Sequence, residues 1–227
     1  QKDILGKENG RVPLEGELNP DLVRAALGLD IPEGISLSNV TLPNRPPQLC
    51  QGCPHGDAYG AIKEALSEYE QTMVTSDIGC YTLGALPPYS AIESCVCMGA
   101  SVGMAKGAAE AGFHPVVAVI GDSTFLHSGV TPLMDAATAD ANMTLVILDN
   151  ETVAMTGTQP TVLPSSRLET LIPGVGVDPE PFHVLDAHPK KARENTDILK
   201  REIAHKGLSV IIMVRTCLEE ARKKKKK

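Results

Sequence analysis

Two short apolar runs, VVAVI at 116–120 and TLVIL at 144–148, constrain the fold more than any other feature of this chain. Each is too short for an ordinary helix and neither alternates with polar residues, so each reads as a strand buried on both faces. Such strands belong to parallel sheets, in which every connection must cross back over the sheet, usually as a helix. The flanking sequence agrees. Asp57 to Glu68 carries Ala58, Ile62, Ala65 and Leu66 on one face, and Gly99 to Ala111 is rich in Ala and Gly. Val130 to Ala139 and Pro189 to His205 continue the helical series, while Thr72 to Ser76 and Leu208 to Val214 supply further strands. The expected fold class is α/β, a parallel sheet with helices on both faces, preceded by an extended N-terminal arm.

The arm and its linker take residues 1–45, the domain residues 46–221, and a basic tail residues 222–227. Within the arm, Asn19-Pro20-Asp21 offers an N-cap, a proline at the first helical position and an early acid, so one short helix is expected before Gly28. From Ile31 to Pro54 the prolines at 32, 43, 46, 47 and 54 mark an extended connector. Net charge is −7, and six positive charges sit at Arg222 to Lys227, which leaves −13 on residues 1–221. So acidic a body argues against a nucleic-acid partner, and no run of 18 apolar residues offers a membrane span. Six cysteines without an apolar signal core at QKDILGKENG point to reduced thiols in a cytoplasmic protein, which leaves the sequons at Asn39 and Asn142 without weight. The chain begins with Gln, as a piece of a longer protein would, and a split subunit is the alternative reading.

In an open parallel sheet, ligands bind at the carboxyl ends of the strands. Both apolar runs end there in turns that carry carboxylates, Gly121-Asp122-Ser123 and Asp149-Asn150-Glu151-Thr152. Twenty-seven residues lie between Asp122 and Asn150, room for one crossover helix, so adjacent strands would present the two side chains together. That is a half-cage suited to Mg²⁺, which takes few protein ligands and completes its shell from phosphate and water. Gly121 would admit a close backbone approach, and the amides of Ser123 and Thr124 could hold phosphate oxygens at a helix start. Taken singly, Asp122 reads as a helix cap and Asn150 as a turn residue; the pair at this spacing favours the metal–diphosphate site.

GDS and DN at this spacing resemble the thiamine-diphosphate and magnesium motif of thiamine-dependent enzymes. LCQGCPHGD (49–57), SDIGCYTLGALPP (76–88), SCVCMGASVGMAKG (94–107) and the loop AMTGTQ (154–159) resemble the thiamine-binding part of the indolepyruvate:ferredoxin oxidoreductase alpha subunit, in the 2-oxoacid:ferredoxin oxidoreductase superfamily. The likeness runs in order over residues 46–217. It implies that Asp122, Asn150 and the Thr152 carbonyl hold Mg²⁺, and that Gly121, Ser123, Thr124 and Thr156 line the diphosphate. Met98 and Gly99 would approach the cofactor rings. It implies oxidative decarboxylation of a 2-oxo acid, an aryl pyruvate such as indolepyruvate, to an acyl-CoA, with electrons passed to ferredoxin or a ferredoxin-like domain. One departure is Gly56, where that family usually has a basic residue.

Cys50-x-x-Cys53 in a Pro/Gly loop, with Cys80 and Cys217 elsewhere, fits either a cluster or a zinc site from the residues alone. The resemblance selects a [4Fe–4S] cluster on Cys50, Cys53, Cys80 and Cys217, and leaves Cys95 and Cys97 to packing. It also implies a glutamate that activates the cofactor, carried by a pyrimidine-binding domain or subunit that residues 1–227 do not contain. The expected assembly is a hetero-oligomer built on a dimer. Two other classes stay open: a cluster-free thiamine-dependent decarboxylase subunit, and a zinc-stabilised interaction module without activity.

Overall fold

A computed structural model describes residues 6–34, 41, 43 and 46–225. The chain divides into two compact units, residues 1–45 and 46–227. In the first, α1 (Pro20–Ala26) starts as the sequence suggests: Asn19 Oδ1 accepts from the Leu22 amide at 2.9 Å, and Gly28 takes a left-handed φ of 69° just past its end. Arg11 Nε donates to the Ala26 carbonyl at 2.7 Å, bonding the preceding turn to this helix. Part of the expected connector, the sequon at Asn39 and the last two lysines lie outside the described residues.

The second unit runs α2 (Pro54–Leu66), β1 (Met73–Ser76), a 3₁₀ turn (Cys80–Ala85), β2 (Ser94–Cys95), α3 (Ala100–Glu110) and β3 (Val116–Gly121). A continuous helical run follows, made of α4 (Asp122–Thr124), a π-helical stretch (Phe125–Gly129) and α5 (Val130–Thr138). Then come β4 (Met143–Asp149), α6 (Ser165–Gly174), β5 (Phe182–Asp186), a second 3₁₀ turn (Pro189–Lys191), α7 (Ala192–Ala204), β6 (Leu208–Val214) and α8 (Leu218–Lys224). The six strands form one sheet, in the order β2-β1-β3-β4-β6-β5, with every pairing parallel.

The strand period of two explains the unbroken apolar runs. Val117, Val119, Val146, Leu148, Ile211 and Met213 pack on one face against α2 and α7, through Ile62, Ala65, Leu199 and Ile203. Val116, Ala118, Ile120, Leu145, Ile147, Val210 and Ile212 pack on the other against α3, α5 and α6, through Val102, Leu133, Leu168 and Ile172. Both faces are therefore covered, and each large aliphatic side chain fully buried there contributes about 1.5–3 kcal/mol. With no Trp and 3% aromatics, the core rests on these aliphatics.

The structure differs from the sequence reading in several places. Helix α2 starts three residues before Asp57, because Pro54 takes the first helical position after Cys53. The helix expected from Val130 is the end of a run that starts at Asp122, and the one expected from Pro189 opens as a 3₁₀ turn. The basic tail expected from residue 222 begins inside α8. Elements β2, β5 and α6 fall in stretches where no regular element was expected. Among the described residues, no helix is long and apolar enough to cross a membrane.

Candidate cofactor and metal site

At the carboxyl ends of β1, β3 and β4 lies a cavity of about 280 Å³. It sits where the sheet order turns about β1, whose neighbours are β2 on one side and β3 on the other, the usual ligand position in such sheets. The segment after β1 supplies Ile78, Gly79, Cys80 and Tyr81, and the β3–α4 turn supplies Gly121, Asp122, Ser123 and Thr124. The segment after β4 supplies Asn150 and Thr152 to Thr156, while Met98 and His55 close the wall.

Strand register shifts the expected pairing by one residue. Gly121 lies opposite Leu148, so the next step places Asp122 beside Asp149 rather than beside Asn150. Both carboxyls are buried, at 5% and 2% exposure, and in each Oδ2 has no hydrogen-bond partner. Their Oδ1 atoms accept from neighbouring amides, Ser123 N at 2.7 Å and Glu151 N at 3.0 Å. Burial, and then the neighbouring Asp149 carboxylate, pushes the Asp122 carboxyl up to about 8. Two buried carboxyls with unpartnered oxygens are an arrangement that a hard divalent cation would satisfy. Asn150, also buried, accepts at Oδ1 from the Thr152 amide at 3.1 Å, and its Nδ2 lies 3.1 Å from His55 Nε2. Burial, then the charge of Arg215, holds the His55 ring down at about 4.

The other residues expected at the cofactor fall into two groups. Gly121, Ser123, Thr124, Thr152, Thr156 and Met98 all line the cavity. The Ser123 amide is already bonded to Asp122, and Thr124 Oγ1 donates to the Ile78 carbonyl at 3.1 Å. A Cβ on Gly121 would lie 2.5 Å from the Tyr81 ring, so glycine is what lets that ring close the pocket. Thr156 is exposed and donates to Gln159 Oε1 at 2.5 Å within the loop after β4. Gly99 does not line the cavity. It caps α3 with φ 87°, against Ser128 of the π-helical stretch, whose Oγ donates to the Met98 carbonyl at 3.0 Å. Its role is to turn the chain so that Met98 reaches the cavity.

Cys50, Cys53, Cys80 and Cys217 arrive from three places: the loop before α2, the start of the 3₁₀ turn after β1, and the cap of α8. Cys53 feels Cys50 and Cys217, and Cys80 feels Cys217 and Cys50, so the four share one electrostatic neighbourhood. Burial raises both thiols, Cys53 to about 11. All six cysteines are free, and among the described residues no group of three or more His, Cys, Asp or Glu could hold a single metal ion. Cys95 belongs elsewhere, near Cys97, with its Sγ donating to the Asp77 carbonyl at 3.4 Å. At Gly56 a side chain would run into the Tyr89 hydroxyl, which fills the space a larger residue would need.

Asp149 and His55 were missed from the sequence. The acid in LDN was a visible signal, but only the register sets it beside Asp122. His55 stands in the quoted CPH run, yet its partner lies 95 residues away.

Comparison with known proteins matches residues 77–213 to the family described as thiamine pyrophosphate enzyme, C-terminal TPP binding domain. The chain is 37% identical to indolepyruvate oxidoreductase subunit IorA of Archaeoglobus fulgidus, over 95% of this chain and 37% of that protein. It is 35% identical to the subunit of the same name from Methanothermobacter thermautotrophicus, again over 95% of this chain and 37% of that one. It thus spans little more than a third of these curated relatives. Among solved structures, 2-oxoglutarate:ferredoxin oxidoreductase from Magnetococcus marinus superposes with a TM-score of 0.65 at 19% identity, covering 77% of this chain and 66% of that one. The thiamine diphosphate-dependent 4-hydroxybenzoylformate decarboxylase of Rhodococcus jostii RHA1 gives 0.55, also at 19% identity, covering 87% and 39%. At that identity these two establish a shared fold.

Proposed function

Because the chain belongs to the thiamine pyrophosphate enzymes, through their C-terminal TPP-binding domain, we propose that it is the diphosphate- and metal-binding half of a 2-oxo acid:ferredoxin oxidoreductase of the indolepyruvate type. The observation that carries this reading is the buried Asp122 carboxyl, with an unpartnered oxygen, which lines a cavity at the strand ends together with Asn150 and has the buried Asp149 carboxyl beside it. Hard oxygen donors of this kind suit Mg²⁺, with Asp122, Asn150 and the Thr152 carbonyl as its protein ligands. Gly121, Ser123, Thr124 and Thr156 would line the diphosphate.

When bound, thiamine diphosphate supplies the electron sink for loss of CO₂ from a 2-oxo acid. The chain's own residues contribute position and exclusion of water: Tyr81 and Met98 wall the cavity, and residues 153–156 of the loop after β4 complete its lining. Cys80 lines that cavity and also belongs to the four-cysteine group, which supports a [4Fe–4S] cluster next to the cofactor. The relatives' name, indolepyruvate oxidoreductase subunit, supports an aryl 2-oxo acid substrate and a hetero-oligomer; coenzyme A as acyl acceptor, ferredoxin as electron acceptor and a cytoplasmic setting complete the proposal. A pyrimidine-binding domain or subunit would bring the activating glutamate.

Calorimetry of the anaerobically purified chain with thiamine diphosphate tests the half-site. Binding that requires Mg²⁺ is expected, with broad visible absorption from the cluster. Mg²⁺-independent binding, or stoichiometric zinc in native protein, would sink this assignment. An activity panel of aryl and alkyl 2-oxo acids on the complete complex then identifies the substrate.

A further inference from the structure

The Asn150 amide is oriented by contacts on both of its ends. Its Oδ1 accepts from the Thr152 backbone amide at 3.1 Å. A backbone N–H can only donate, so turning the side chain over would set an NH₂ group against it. Nδ2 therefore faces His55 Nε2, 3.1 Å away, and has to be the donor there. The imidazole nitrogen must then accept, which makes the ring neutral and places its proton on Nδ1. The surroundings agree: His55 is 3% exposed, and Arg215 lies close enough to oppose an imidazolium. Edge-on contact with Tyr81, at 6.0 Å between ring centroids, helps to fix the plane of the imidazole.

We propose that His55 is the positioning residue of this site, holding the Asn150 amide so that it offers oxygen, and not NH₂, to the cation that accompanies the diphosphate. The inference rests on the Mg²⁺–diphosphate reading and deepens it. A cation binds the amide oxygen and is repelled by NH₂, so an amide free to turn binds less well. Residues that orient a metal ligand through a hydrogen bond commonly cost 10–100-fold in affinity when lost.

Two variants of the full 227-residue chain separate positioning from packing. His55→Leu fills similar space without an acceptor, whereas His55→Gln can offer an amide oxygen to Nδ2. Thiamine diphosphate with Mg²⁺ is the calorimetric probe, with iron and sulfide content measured on the same samples. The leucine variant should bind about 10–100-fold more weakly, the glutamine variant should recover most of that loss, and iron content should match wild type in both. Wild-type affinity in His55→Leu would overturn the role, as would glutamine behaving like leucine or iron falling in step with affinity. Absence of Mg²⁺-dependent binding in the wild type would overturn the site reading along with it. Should His55→Leu fail to fold, ¹⁵N shifts of the wild-type ring decide: an unprotonated Nε2 is expected, and a protonated Nε2 overturns the proposal.

Discussion

Asp77 has no exposed surface, and both its carboxylate oxygens go to one residue, Ser101 N at 2.7 Å and Ser101 Oγ at 2.6 Å. This binds the end of β1 to the first turn of α3, whose Gly99 cap lacks a side chain to do so. Asp77→Ala leaves the buried Ser101 donors unpaired, so urea denaturation should show a loss of about 1–3 kcal/mol; a change inside 0.5 kcal/mol, the ~0.5 kcal/mol typical of featureless surface sites, would contradict that. Asp122 is expected to behave in the opposite manner. Its Oδ2 has no protein partner to lose, so Asp122→Ala should fold yet bind thiamine diphosphate and Mg²⁺ at least about 100-fold more weakly. Asn150→Ala should weaken binding less, since a neutral oxygen contributes less to a divalent cation than a carboxylate does. Unchanged affinity in the Asp122 variant would remove it from the metal site. Asp122 and Asn150 were legible in sequence because each ends an apolar run. Asp149 and His55 were not, since one depends on a single step of register and the other on a long-range contact.

Among the elements, the strands buried on both faces were the most legible: β3, β4 and β6 lie within one residue of their expected ends at either side. The edge strand β5 was not, because its side chains are only partly covered and Val184 is 42% exposed, so no buried pattern marks it. Helix α6 hides for another reason, with Pro164 just before it and Pro173 inside it, which read as breakers in the sequence. Gly99 illustrates how an element can depend on its entry. A Cβ there would stand 2.6 Å from Ser128 Cβ and 2.7 Å from the Ser128 carbonyl oxygen, in a left-handed conformation. Gly99→Ala should therefore cost about 1–3 kcal/mol in denaturant unfolding, and a neutral result would show that the π-helical stretch can yield. The cysteines make an element-level prediction too. Serine at position 50, 53, 80 or 217 should lower the iron content of anaerobic preparations, whereas serine at 95 or 97 should leave it intact. Equal losses across all six would break up the proposed ligand set.

For the whole molecule, five of the eight large apolar side chains exposed among the described residues of the second unit fall at residues 78–98 and 155: Ile78, Leu86, Val96, Met98 and Met155 are all at least 37% exposed. Helix α3 adds glycines at 103 and 107 that face open space. Both features suit a surface that a second domain covers. Gly103→Leu should then stabilise the isolated chain by up to about 1 kcal/mol through helix propensity while blocking assembly in sedimentation with the proposed pyrimidine-binding partner. Retained assembly would place the interface elsewhere. If the activating glutamate comes from a partner as proposed, residues 1–227 alone should not turn over a 2-oxo acid at a useful rate, since a positioned proton transfer is worth about 10²–10⁴-fold; steady turnover without a partner would refute this division of labour. A last consequence concerns Cys80, which stands in the cavity wall and in the four-cysteine neighbourhood at once. Air that strips the proposed cluster from such a thiol would also leave the proposed cofactor pocket with a damaged wall. Protein handled aerobically would then read as a poor thiamine binder, and its colour would report on the fitness of both sites.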